Sequence, residues 1–186
     1  YIDKDRWKKI IKDLEVKRNQ YAKEFQEAVR PYYKYKAVDL FGNTADAINI
    51  NSNVQIMKLF NKKLGIEIPS LTDAILSTID HPVAARLRKY RKYEKLISAF
   101  GDTLLQKIHP VTGRVHPEFN QMGTATGRFS CNKPNLQQVP RNSEEAPFRE
   151  CVNPEPGYKL VTADYSSFEM RILADLSGDK KMLKAL

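Results

Sequence analysis

Val161–Arg171 reads VTADYSSFEMR. A short β-branched run ends on Asp164, Tyr165 and two serines follow, and Glu169 stands five places after the aspartate. The pattern predicts a buried strand from Tyr158 to Ala163, with Leu160 and Val161 at its centre. It delivers Asp164 at its end. Phe168 to Leu176 then reads as a helix that opens on Glu169, Ser177-Gly178 breaks it, and Asp179 to Leu186 begins another. A carboxylate at a strand end is well placed to hold a divalent ion, because Mg²⁺ prefers hard oxygen ligands. Taken alone, an aspartate after a strand is more often a turn residue or a cap, by roughly five to one. The eleven-residue context shifts that balance.

Upstream, His109 to Pro156 is rich in Pro, Gly, Asn, Thr and Ser, which predicts short strands and loops. Val111–His116 is a hairpin candidate around Thr112-Gly113. Gly123–Pro140 reads GTATGRFSCNKPNLQQVP. Arg128 follows Thr126-Gly127, and an arginine fork is a suitable probe of base edges in a minor groove, where every correct pair presents an acceptor at a similar position. The polar residues of this stretch also suit a hydrogen-bonded loop scaffold.

The first hundred residues are helical in texture. Asp3 or Asp5 caps a helix to about Val29, with Trp7, Ile10, Ile11, Leu14, Tyr21, Phe25 and Ala28 on one side. Pro31 ends it. Ser52 caps a helix through Leu64, stopped by Gly65. Ser70 or Thr72 begins a short helix to about Ile79. Pro82 opens a long one to about Gln106. On it, Arg88, Lys92 and Lys95 share a stripe, suited equally to a phosphate backbone and to a solvated face. Tyr32, Tyr33, Tyr35 and Phe41 lie in a Gly-containing stretch from Pro31 to Asp46, where packing on a helix is a commoner use than stacking on bases.

The 186 residues carry a formal net charge of +9. A basic domain of this size points to a polyanionic partner, with a merely solvated basic surface as the alternative. The two cysteines, Cys131 and Cys151, read as reduced thiols, and His81, His109 and His116 lack zinc-finger spacing with them. No run approaches the ~18 apolar residues of a membrane span, and no signal peptide is visible. A cytoplasmic protein, bacterial or viral, is expected, with an organelle also open.

The two motifs together resemble family A DNA polymerases, whose corresponding stretches read DYSQIELR, and TATGRLSS followed by PNLQNIP. Ile48–Gly65 resembles the family's thumb tip, and Tyr90–Phe100 its second long thumb helix. The resemblance covers nearly the whole chain except Pro31–Ala47, which looks like an insertion. It implies an α+β chain: a helical thumb over residues 1–106, then the start of an antiparallel-sheet palm over 107–186. It implies a DNA-directed DNA polymerase that extends a primer from dNTPs with two Mg²⁺ ions. By the same resemblance, Asp164 and the Tyr165 carbonyl are metal ligands. Glu169 gates against a ribose 2′-hydroxyl, with Phe168 beside it. Arg128 bonds the primer-terminal pair. Asn135, Gln137 and Gln138 lie near template and primer, and Lys95 contacts DNA, with Lys92, Arg88 and Arg141 as further candidates. Arg149 falls near a family arginine, and Arg171 reads as a structural ion pair. Ser167-Phe168 replaces the family's Gln-Ile, which bears on sugar discrimination and fidelity, and Gln138 replaces an Asn.

The family's fingers helix and its second palm carboxylate lie downstream of the DYS motif. They are expected in the rest of a longer chain or in a second chain. The alternative for this segment alone is a non-catalytic module that grips primer-template DNA. A single-subunit RNA polymerase shares the palm, but Glu169 would crowd a ribonucleotide sugar.

Overall fold

The structure, a computed structural model, describes residues 1–33, 48–140, 143 and 145–186. Tyr35, Phe41, most of the expected insertion and Arg141 lie outside the described residues. Two compact units result, Tyr1–Asn153 and Pro154–Leu186. The expected boundary after residue 106 falls inside the first unit.

That unit is built on two antiparallel helices, α1 (Lys4–Val29) and α4 (Pro82–Phe100). Asp3 caps α1, its side chain accepting from the Arg6 amide at 3.0 Å, while Asp5 sits in the first turn. The buried positions Trp7, Ile10, Ile11, Leu14, Phe25 and Val29 recur at helical spacing, so one stripe of α1 faces the core. At the start of α4, His81 Nδ1 accepts from the Val83 amide at 3.2 Å, and Pro82 occupies the first turn. Its missing N–H costs nothing there. Ion pairs Arg18–Glu94 and Arg86–Glu24 cross between the helices.

The long helix ends at Phe100 rather than at Gln106. The backbone turns away at Gly101, where a Cβ would stand 2.5 Å from the Ile97 carbonyl oxygen. One further turn follows as α5 (Asp102–Leu105). Between α1 and α4, Ser52 caps α2 (Asn53–Lys58), which winds on as a π-helical segment over Leu59–Leu64 and stops at Gly65 in the left-handed region. Thr72 precedes α3 (Asp73–Ser77), shorter than its pattern suggests.

Two buried clusters form. Phe25, Val29, Ile56, Phe60, Val83 and Leu87 pack around one end of the α1–α4 pair. At the other end, Trp7, Leu14 and Phe100 meet Phe148 and Cys151. Trp7 Nε1 donates to the Phe100 carbonyl at 2.7 Å, and its ring lies 4.7 Å from that of Phe148. Each such large apolar side chain contributes about 1.5–3 kcal/mol by leaving water. An antiparallel bridge between Ile2 and Val152 brings the two ends of the unit together, and the Asp3 amide donates to the Cys151 carbonyl at 2.8 Å.

The Gly- and Pro-rich stretch holds one two-stranded antiparallel sheet, β1 (Glu118–Asn120) with β2 (Ser130–Asn132), Phe119 opposite Cys131. With the helices it makes the chain α+β. The expected hairpin at 111–116 is reduced to a turn with one bridge, Ile108 to Val115. Cys131 and Cys151 are both free and buried.

In the second unit, α6 (Phe168–Ser177) and α7 (Lys180–Ala185) form as the pattern predicts, and Asp179 caps α7. The strand expected at Tyr158–Ala163 does not form. Its side chains are exposed, Leu160 by 59% and Val161 by 88%. A β-branched run becomes a strand only when another strand takes up its N–H and C=O groups, and among the described residues none pairs with it. No described helix is long and apolar enough to cross a membrane.

Candidate nucleic-acid interface and metal-ligand motif

In the first unit, Arg128 ends a tight loop that leaves β1 and returns as β2. Gly123 opens that loop because nothing larger fits: a Cβ there would stand 1.9 Å from the Ser130 hydroxyl oxygen. Gly127 has φ 72°, a left-handed conformation that glycine takes without a steric penalty. Thr124 Oγ1 donates to the Arg128 carbonyl at 2.8 Å. The arginine's backbone is therefore fixed while its side chain is exposed.

Asn135 and Gln137 serve the scaffold. Asn135 Oδ1 accepts from the Gln137 amide at 3.1 Å and caps a 3₁₀ turn over Leu136–Gln138. Gln137 Nε2 donates to the Phe129 carbonyl at 3.0 Å, which binds that turn to the loop carrying Arg128. Gln138 is exposed and borders a depression of about 520 Å³ with Lys92, Lys95, Pro140 and Ser143. Arg149 Nη2 donates to the Val139 carbonyl at 3.1 Å and steadies the same segment.

The stripe on α4 is real, but two of its three cations are occupied. Arg88 makes a forked pair with Asp73, Nε to Oδ1 at 2.7 Å and Nη2 to Oδ2 at 3.1 Å. The guanidinium lowers the Asp73 carboxyl below its ordinary range, and the carboxylate raises Arg88 in turn. Lys92 Nζ lies 2.6 Å from Glu145 Oε2. Lys95 has no such ion pair among the described residues.

Glu145 is a node that sequence reasoning missed. Besides Lys92 it accepts from the Tyr93 hydroxyl at 2.9 Å and lies 3.7 Å from Lys17 Nζ. The Lys92 and Tyr93 hydrogen bonds lower its carboxyl. Burial, then the Glu145 carboxylate, push the Tyr93 phenol up to about 12. The Tyr93 ring stacks on Tyr21 of α1 at 5.6 Å. Glu145 is 53 residues from Lys92 in the chain, and no local spacing announces such a pair.

In the second unit, Tyr165, Ser167, Phe168 and Glu169 border a shallow depression of about 320 Å³. The Tyr165 and Phe168 rings lie 5.3 Å apart. Ser167, at φ 53°, turns the chain sharply into α6. Arg171 Nε donates to the Ser166 carbonyl at 3.0 Å, so the expected structural role holds through a backbone carbonyl rather than through an ion pair. Asp164 is exposed just before this turn.

A hard divalent ion needs several oxygen ligands. Asp164 offers a carboxylate of the right kind, yet no group of three His, Cys, Asp or Glu side chains gathers among the described residues. The residues present fit part of a metal site, not a whole one.

Known proteins sharpen this geometry. The profile described as DNA polymerase family A matches residues 15–186. DNA polymerase I of Chloroflexus aurantiacus is 33% identical over 195 residues, covering 95% of this chain and 21% of that protein. The thermostable DNA polymerase I of Thermus aquaticus is 36% identical over 158 residues, 78% of this chain and 19% of that one. Among solved structures, the POL domain of Pol1 from M. smegmatis, in complex with DNA primer-template and dNTP, superposes with a TM-score of 0.64 at 27% identity. It covers 94% of this chain and 31% of that one. The chain thus spans about a fifth of the length of these curated relatives.

Proposed function

The chain belongs to DNA polymerase family A, and from that premise we propose that it is the primer-template grip and the first metal-ligand segment of a DNA-directed DNA polymerase. The observation that carries the reading is the pair of motifs, Gly123–Pro140 and Val161–Arg171, both inside the matched span. The helical residues up to 106 act as the thumb, and the rest begins the palm. The partners are primer-template DNA and dNTP, the molecules in the M. smegmatis complex.

In this reading Arg128 meets the acceptor atom of the primer-terminal pair. Its fixed loop lowers the entropy cost of holding a guanidinium there. Gln138, Lys95, Lys92 and Arg88 meet sugar and phosphate, while Asn135 and Gln137 act mainly by holding the Arg128 loop in shape. Arg141 is a further DNA contact in the same segment. Glu169 fills the space beside the 2′ carbon of the incoming sugar, and Phe168 backs it. Asp164, with the Tyr165 carbonyl, is one part of the site for two Mg²⁺ ions. Such ions, when bound, neutralise charge on the attacking and leaving oxygens. Residues outside this sequence complete that site, in the same protein or in a second chain.

For this chain by itself, Asp164 without a partner carboxylate does not hold two ions, which leaves DNA binding without catalysis as the alternative reading. The test has two parts. This chain should bind primer-template DNA, with log affinity falling by about 0.9 per phosphate contact per unit of log salt, and should add no nucleotide. The longer protein should extend a primer, and Asp164→Ala should abolish the addition. Extension at the wild-type rate by that variant would remove Asp164 from the reaction.

A further inference from the structure

We propose that Asp73 and Glu145 are built-in phosphate competitors on the basic face of α4, so that a nucleic-acid backbone docks there by taking over the ion-pair partners of Arg88 and Lys92. The proposal rests on the DNA-gripping reading above and adds a specific exchange to it.

The face is crowded with cations. Arg88, Lys89, Arg91, Lys92 and Lys95 of α4 border a depression of about 560 Å³ together with Asp73 from α3. The neighbouring depression beside Gln138 shares Lys92 and Lys95, so the two meet along one edge of the helix. Arg88 to Lys95 rises about 10.5 Å along α4, equal to roughly three phosphates of one strand projected on a duplex axis at about 3.4 Å each.

The cations differ in what holds them. Arg91 is bound to neutral acceptors, the Leu71 carbonyl at 2.7 Å and Asn53 Oδ1 at 2.8 Å. Those bonds join it to the packing between helices, and it reads as structural. Arg88 and Lys92 are held instead by carboxylates from two separate segments. The Asp73 carboxylate takes both arms of the Arg88 fork, the arrangement in which a guanidinium also receives a phosphate. Glu145 meets Lys92 with one oxygen while the other accepts from Tyr93. These pairs are open to water: the Asp73 side chain is 76% exposed and that of Lys92 58%. Exposed pairs of this kind are weak and exchange readily. A backbone phosphate carries the same single charge as a carboxylate, but a polyanion presents several such charges at once.

An exchange has a thermodynamic signature. A cation that leaves a carboxylate for a phosphate releases a counterion from the DNA, but it must first break an ion pair that salt itself weakens. The net salt dependence of that contact is then smaller than that of a cation with no carboxylate partner, about 0.9. Asp73 and Glu145 therefore weaken binding at low salt and flatten its salt dependence.

The test is fluorescence anisotropy of labelled primer-template DNA with this chain across a salt series. Asp73→Asn and Glu145→Gln should each tighten binding by about two- to fivefold at low salt and steepen the log–log slope by up to about 0.9. The amide of Glu145→Gln still accepts from Tyr93. Glu27→Gln, on an exposed carboxylate that borders a different depression, changes net charge equally and should do markedly less. In a Lys92→Gln background, the gain from Glu145→Gln should largely vanish. Equal tightening by Glu27→Gln, or a gain that persists without Lys92, overturns the proposal while leaving the DNA-gripping reading in place. A wild-type chain that binds no DNA at low salt overturns both. If Glu145→Gln does not fold, Asp73→Asn decides the matter alone, by the same affinity and slope.

Discussion

In the proposed function Arg128 and Glu169 do different work, and single substitutions separate them. The Arg128 loop holds its shape through Gly123, Gly127 and Thr124, so Arg128→Ala removes the guanidinium and leaves the loop intact. A charge-assisted bond to a base edge is worth roughly 1.5–3 kcal/mol. In the longer protein, Arg128→Ala should therefore slow single-nucleotide extension by about ten- to a hundred-fold. Glu169 sits in the first turn of α6 beside Phe168, where its proposed role is to occupy space. Glu169→Ala should keep measurable DNA synthesis and raise the use of ribonucleotides relative to deoxyribonucleotides, read by parallel extension with rNTP and dNTP. Phe168 is bulkier than the family's isoleucine, so the loss of selectivity should be partial. Complete inactivity would place Glu169 in the metal or folding apparatus instead. Unchanged selectivity in an active variant would make Phe168 the gate.

Helices, their caps and their apolar stripes could be read from the sequence because each rests on neighbours within a turn or two. Asp3, Ser52 and Asp179 cap as their positions suggest, and Pro82 opens α4. The expected strand at Tyr158–Ala163 failed for the opposite reason: its propensity is local, but a ladder partner is not. The Glu145 node was hidden for the same cause, since it joins α1, α4 and the loop before Ala146 across long separations. That node has a pH signature. The Tyr93 phenol is raised from 10.0 to about 12, so its contribution is fully present below pH 10 and is lost as pH rises toward 12. Glu145 is lowered, so its contribution is present above the ordinary carboxylate value of 4.5 and is lost as pH falls through the folded value. The stability difference between wild type and Tyr93→Phe, from denaturant titrations, should be constant near neutrality and should shrink between pH 10 and 12. A difference that stays flat to pH 12 would mean that Tyr93 titrates normally.

Across the first unit, α1 spans both buried clusters, and Trp7 and Phe148 fasten the end where residues 1–7 meet 146–153. Trp7→Ala should cost about 3–5 kcal/mol, measured by urea unfolding, because it empties the cluster and orphans the Phe100 carbonyl. A loss under about 1 kcal/mol would show that this end collapses freely around the gap. The same seam has a consequence during synthesis. Phe148 follows Trp7 in the chain by about 140 residues. At about 5–20 residues per second, the Trp7 end of α1 waits roughly 7–30 s for Phe148, while its other end packs on α4 sooner. Closing so long a loop is entropically late as well as temporally late. The Trp7 end of the nascent helix is therefore a segment that a ribosome-associated chaperone has reason to shield.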